Sequence, residues 1–281
     1  MSINQPGVTV YVQNANGAAG DRFNAMAIGS GATAEEQDDT QLVAEHTADG
    51  AERKAAAVSL AGANNEKLRF VATFALTTQL VIREVNITND QAPLGADTGA
   101  QLMREVFNKD YNAIPGDTVT LTLDAIGSDN TAAQSGLDIT MTWAGIAAMH
   151  KLNGQGLADD GPIVTQALGR DATAPALGDT GLGDEIVAAD SLDLGRGEYT
   201  QNTQTLEATN GFTDTVRSVV KWAIETAGAP SVDVDETSLE TNMTPGSGVT
   251  LCRITYDATL TLDGEYADTF EQTIDYIVSI A

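Results

Sequence analysis

Residues 27–34 (Ala-Ile-Gly-Ser-Gly-Ala-Thr-Ala) return at 167–174 as Ala-Leu-Gly-Arg-Asp-Ala-Thr-Ala. Carried on to Glu45 and Glu185, the two stretches agree at 9 of 19 positions with a constant offset of 140 residues. Repeats of roughly 20–50 residues stack into solenoids. A period this long predicts a pair of similarly built domains. The chain has 281 residues, enough for two domains of about 140 residues, each near the common size for a self-sufficient core. The boundaries expected are a first domain over 1–146 with an N-terminal arm, a linker over 147–161, in which Ala147–Leu152 could form a helical turn, and a second domain over 162–281.

Hydrophobic period then sets the fold class. Arg53–Leu60, Lys67–Thr77, Leu80–Thr88, Gln101–Phe107 and Thr118–Ile126 are apolar or β-branched at period two, the mark of half-buried strands. Leu137–Ile146 reads as one more strand, with Met141 and Trp143 on one face. Gly197–Leu206, Thr213–Thr226, Leu251–Leu262 and Thr269–Ile280 read as strands of the second half, Thr213–Thr226 being long enough for two. Residues 7–13 alternate and read as a short strand or extended arm, able to add to a neighbour's sheet edge. Residues 30–50 read as a loop or a short helix, Asp171–Asp190, Asn89–Gly99 and Ala227–Gly248 as loops, and Ile114-Pro-Gly-Asp as a type II turn. Val81–Arg83 aligns by eye with Val219–Lys221, and Leu102–Arg104 with Leu251–Arg253. Asp117–Asp124 aligns with Asp268–Asp275. Many short strands and almost no 3.6-residue period predict an all-β chain. The expected form is two tandem antiparallel β-sandwich, jelly-roll-like domains related by internal duplication.

Charge limits the partners. There are 40 acidic residues against 14 basic, a net charge of −26, and only 5 of the basic residues are lysine. Yet 42% of residues are apolar and fall in ordered runs, unlike a disordered acidic chain. An acidic, lysine-poor surface spread along the whole chain is the habit of extremely halophilic proteins, whose self-repulsion molar salt screens. Direct nucleic-acid binding needs a basic face, and none is expected here. No apolar window is long enough for a membrane span, and no signal peptide is expected at the N-terminus.

Candidate chemistry is sparse. The chain has two histidines, His46 and His150, and one cysteine, Cys252, which is read as a buried thiol. A zinc site needs three or four such ligands at set spacings. No Gly-x-Ser-x-Gly nucleophile elbow occurs. The glycine-rich stretch Gly29–Ala34 lacks the Lys-Ser/Thr ending of a phosphate cradle, and its counterpart places Asp171 where Gly31 stands. It is therefore read as turn chemistry, unsuited to holding an anion. Asp233, Asp235 and Glu236, and separately Asp38-Asp39, could supply oxygens to a structural cation. Without an EF-hand pattern, a solvated acidic loop is the plainer reading. No catalytic residue and no cofactor are expected. Trp143 and Trp222 are the candidates for stacking on a host-surface glycan, against core packing as the simpler role.

Taken in order, Ala27–Ala34, Ile82–Val85, Leu102–Phe107 and Gly116–Thr118 resemble a family of structural proteins of tailed viruses. With the acidic composition, the resemblance is to a virus of haloarchaea. It implies a non-enzymatic virion component, synthesised and assembled in the host cytoplasm, forming a homo-oligomer and contacting other capsid or tail proteins. A head-surface turret or decoration subunit is the leading expectation. A tail-tube or fibre-base subunit and a host-surface glycan-binding module are alternatives, and a hydrolase with an acidic pair is a third class.

Overall fold

The computed structural model describes residues 14, 22–36, 39–89, 99–126, 137–141, 143–153, 161–162, 165–187, 196–207, 213–223, 232–242, 244, 247–262 and 269–279. Within them lie fourteen strands and one helix, so the chain is all-β in its framework. The first half holds β1 (Ala25–Gly29), β2 (Lys54–Ala55), β3 (Ala57–Ala61), β4 (Lys67–Ala75), β5 (Leu80–Thr88), β6 (Gln101–Ala113) and β7 (Thr118–Ile126). Then come β8 (Leu137–Met141) and α1 (Trp143–Asn153). The second half holds β9 (Thr165–Gly169), β10 (Gly197–Glu207), β11 (Thr213–Ala223), β12 (Val232–Glu240), β13 (Thr250–Leu262) and β14 (Thr269–Ser279). All pairings are antiparallel, in sheets ordered β2-β1-β5-β6, β3-β4-β7 and β14-β11-β10-β9-β12-β13-β8. No helix among the described residues is long and apolar enough to cross a membrane.

Side-chain alternation builds the core. In β4, Leu68, Phe70, Ala72 and Phe74 point inward while their neighbours are half-buried or exposed, as period two demands. They meet Met26 and Ile28 of β1, Val85 and Ile87 of β5, and Leu123 and Ala125 of β7. β1 and the second part of β5 are buried on both faces. Their second face carries Ala25, Ala27 and Gly29 beside Glu84, Asn86 and Thr88, under the polar stretch 30–50. Small residues on β1 let that covering chain lie directly on the sheet. A Cβ on Gly29 would stand 2.5 Å from the Ala44 carbonyl oxygen.

The two halves use the same registers. Lys67–Ala75 pair with Ile126–Thr118, and Thr215–Ala223 pair with Ile277–Thr269, with offsets of 148 and 151 residues. Leu80 to Thr88 pair with Ala113 to Gln101, and Val232 to Glu240 with Leu262 to Thr250. Both ladders are irregular at the same two places, beside Ile82/Glu84 and Val234/Glu236, and beside Ile87/Thr88 and Leu239/Glu240. Isolated bridges join Gly29 to Glu45 and Gly169 to Glu185. By these registers β12 stands where β5 stands, and β11 where β4 stands.

The structure redraws several expectations. The strand expected over Leu137–Ile146 ends at Met141 and becomes α1. Its run of Ala, Met and Leu favours helix, and Ala147, Ala148, Met149, Leu152 and Asn153 are buried. The linker expected over 147–161 thus begins inside a buried helix, and 154–160 lie outside the described residues. The loop expected over Ala227–Gly248 contains β12, because Val232 and Val234 alternate with acids that face outward. Thr213–Ala223 is one strand, and 224–226 lie outside the described residues. Val219–Lys221 lies in β11, so it is no counterpart of Val81–Arg83. The turn at Ile114–Asp117 forms as expected, with Gly116 at φ 93° and the Asp117 N–H donating to the Ile114 carbonyl. Residues 7–13 lie outside the described residues.

Candidate functional site

The feature built with most care is a buried carboxylate, made twice. Glu84 sits on the covered face of β5 and is fully buried. Its Oε1 accepts the backbone N–H of Gly31 at 3.0 Å and of Ala44 at 2.7 Å. Its Oε2 accepts the Val43 N–H at 3.1 Å and the Arg104 Nε–H at 2.9 Å. Arg104, from the neighbouring β6, also donates to Asp39 Oδ2 at 2.8 Å and to the Thr33 carbonyl at 3.1 Å. One ion pair thus ties two strands to both ends of the 30–50 stretch.

The second half repeats the contacts of the carboxylate atom for atom, while the last arginine contact falls on a different carbonyl. Glu236 Oε1 accepts from Asp171 at 3.3 Å and Asp184 at 3.1 Å, and its Oε2 from Gly183 at 3.3 Å and Arg253 Nε at 2.5 Å. Arg253 reaches Asp179 at 3.1 Å and the Asp171 carbonyl at 3.3 Å. Gly31 has no room for a Cβ, which would stand 2.5 Å from Glu84 Oε1. Asp171 does carry one, and the backbone contacts there are longer. The Asp171 carboxylate accepts the Thr173 N–H at 2.8 Å and pairs with Arg253 at 3.2 Å. The Thr173 side chain and backbone hold that carboxyl below its usual range.

Burial works against the Arg104 and Arg253 charges. Hydrogen bonds to Asp39 and Glu84, and to Glu236 and Asp179, outweigh it and hold both guanidinium groups above the ordinary arginine pKa. A second pair stands beside each first. Arg53 grips Glu45 bidentately at 2.7 and 2.8 Å, and Arg196 grips Glu185 at 2.6 and 3.1 Å. Bidentate Arg–carboxylate contacts fix geometry as well as charge.

The Gly29–Ala34 stretch was expected to be unsuited to an anion. Its backbone does hold one, supplied by the protein itself. From sequence Glu236 is a candidate only as an oxygen donor to a cation, and Glu84, Arg104 and Arg253 are not among the candidate site residues. The signal was present in the matched Asp39/Asp179 and Glu45/Glu185 of the long repeat and in Leu102–Arg104 against Leu251–Arg253.

The residues named from sequence are scattered. Asp233 and Asp235 lie on the outer face of β12 and accept from Thr261 at 2.7 Å and Thr259 at 2.5 Å. Glu236 points to the opposite face, so the three do not converge. Asp39 is engaged by Arg104, and Asp38 lies outside the described residues. Among the described residues no group of three or more His, Cys, Asp or Glu is placed to hold a metal ion. His46 donates to the Val81 carbonyl and His150 to the Glu66 carbonyl, at separate places. Burial pushes the His150 imidazole down to about 4. Cys252 is buried. Trp222 packs in the second core cluster with Leu168, Val220 and Val234, and the Trp143 side chain lies outside the described residues. An open groove of about 640 Å³ runs between β6 and β7, lined by Ile82, Val106, Phe107, Tyr111, Val119 and Leu121 among others. No known protein family, curated protein or solved structure matches this chain.

Proposed function

We propose that the chain is a non-enzymatic structural subunit of a tailed-virus particle, a head-surface turret or decoration protein made of two copies of one β-sandwich module. The observation that carries this reading is the doubled carboxylate clamp. Loops that serve catalysis are commonly left able to move; here both copies of the loop are tied at two points to the sheet beneath. Matching ladder registers across the halves support duplication of a module, and the acidic surface suits a particle exposed to brine. The modules proposed are those expected from sequence, over 1–146 and 162–281, with β8 of the first lying on β13 of the second. Homo-oligomerisation and contact with other virion proteins follow from the same reading.

The place of β6 as the outer strand of its sheet among the described residues favours a second reading, a ring-forming tail component, because head-to-tail contacts form rings where the rotation closes. Mass spectrometry of purified particles separated into heads and tails tests both. The chain is expected in the head fraction. Recovery in tails alone selects the second reading, and absence from particles removes both.

A further inference from the structure

The two halves differ at one buried position beside the second ion pair. By the shared register Glu240 of β12 stands where Thr88 stands in β5. Both are buried, so the second half carries a carboxyl group where the first carries a hydroxyl. Ser238 and Thr250 donate their hydroxyls to Glu240 Oε1 at 2.6 and 2.7 Å. Glu240 Oε2 faces Arg196 Nη1 at 3.8 Å, beyond hydrogen-bond reach. The two N–H groups of Nη1 are both taken, by the Asn242 carbonyl at 2.6 Å and the Ser247 carbonyl at 2.8 Å. Nε and Nη2 of the same arginine hold Glu185. One guanidinium thus ties the turn between β12 and β13 to the stretch that carries Glu185. The flanking strands place Thr165 and Thr250 opposite Glu240, and neither carries a charge. Glu236, also on β12, is paired with Arg253. Among the described residues, the charges that bear on Glu240 are Arg196 and Glu185, two carboxyl groups sharing one cation. Burial raises the Glu240 carboxyl above its ordinary range and Glu185 adds to the rise, against the pull of the two hydroxyls and Arg196.

We propose that Glu240 is a pH-sensitive catch on the turn between β12 and β13. Neutral, it leaves Arg196 Nη1 on the Asn242 and Ser247 carbonyls, and the turn is held down. Ionised, its Oε2 requires a donor, and Arg196 Nη1 is the cationic one beside it. Away from water an anion attracts a guanidinium more strongly than a carbonyl dipole does. Nη1 then leaves at least one of the two carbonyls, and the turn is released. The held form binds the proton better than the released form, so falling pH closes the catch and rising pH opens it. The first half has no such catch, because Thr88 has no carboxyl to ionise. The inference stands on this cluster and not on where a particle carries the chain.

Amide hydrogen exchange on the full chain in molar salt, read as protection factors from about pH 5 to about pH 8, tests it, with the ionisation of Glu240 followed by carboxyl-carbon NMR. The Thr244, Ser247 and Val249 amides are hydrogen-bonded within the turn. Their protection should fall about tenfold or more as Glu240 ionises. The Asn89 and Ala100 amides at the matching place in the first half, and those of Cys252–Tyr256 beneath β8, should keep theirs over the same range. Glu240→Gln keeps the shape without the charge, and should hold the turn at its low-pH protection throughout. Should that variant fail to fold, the wild-type titration decides alone. Turn protection that stays level while Glu240 ionises, or that falls equally in Glu240→Gln, overturns the proposal. So does a Glu240 carboxyl that keeps one charge state across the range, or a loss at 252–256 in step with the turn, which would be unfolding of the sheet.

Discussion

At the scale of single residues, stability is concentrated in a few buried charges. Glu84 is satisfied by three N–H groups and one guanidinium. Arg104→Met leaves that carboxylate without its cation, and breaking a buried pair from one side costs about 3–5 kcal/mol. Denaturant unfolding at fixed salt should show that loss, and Arg253→Met a similar one. The combined replacement Glu84→Gln with Arg104→Met should cost clearly less than the single changes added together, because no bare charge remains. Gly29→Ala would set a methyl 2.5 Å from the Ala44 carbonyl and 2.6 Å from Glu84 Oε1. The clamp must open to admit it, at about 1–3 kcal/mol. His150 adds a pH dependence. Its folded pKa, about 4, lies below the ordinary 6.5, so its contribution is complete above pH 6.5 and is lost as pH falls toward 4. Glu240 opposes it, since burial raises its carboxyl; that group favours the folded chain below its unfolded pKa and ceases to do so as pH rises through the folded one. Unfolding midpoints measured from pH 7 to 4 should fall for the wild type and flatten for His150→Gln.

At the scale of elements, strands whose alternation faces one core were legible, and those buried on both faces were not. β4 and β7 show a plain apolar–polar rhythm, and both lie where the rhythm puts them. β12 hides its rhythm. Glu236, Thr237, Ser238 and Glu240 are polar yet buried, because a loop and an arginine cover them, and a reading based on polarity turns such a strand into a loop. The same disguise covers Glu84. Its burial depends on Arg104, 20 positions away and meaningful only once β5 and β6 pair. α1 is legible only as a possible helical turn over Ala147–Leu152, for a different reason. A buried helix shows no polar face, and its short apolar run cannot be told from a strand by period alone. The outer acids of β12 also make a test. Asp233 and Asp235 each accept a threonine hydroxyl across to β13, at solvent-facing positions where substitution is usually worth under about 0.5 kcal/mol. Asp233→Asn with Asp235→Asn should leave the unfolding midpoint nearly unmoved, with or without added calcium. A calcium-dependent shift abolished by the double change would restore a cation role to this strand.

At the scale of the whole molecule, two forces act against each other. A net charge of −26 repels itself, and salt relieves that repulsion by shortening the Debye length from about 10 Å at 0.1 M to about 3 Å at 1 M. The unfolding temperature should therefore rise steeply between those salt concentrations, followed by near-UV circular dichroism. Against the repulsion stands a core that crosses the midline. Met149 and Leu152 of α1 join Leu68, Phe70 and Phe74 on one side to Leu251, Cys252 and Ile254 on the other. Calorimetry in molar salt should accordingly record a single cooperative transition rather than one for each half. β8 gives the chain a polarity that its repeated sequence conceals. A break between β7 and β8 would hand the downstream fragment every strand its sheet uses. A break between β8 and α1, only a few residues on, would leave that fragment raw along one side and prone to stick to whatever extended chain it meets.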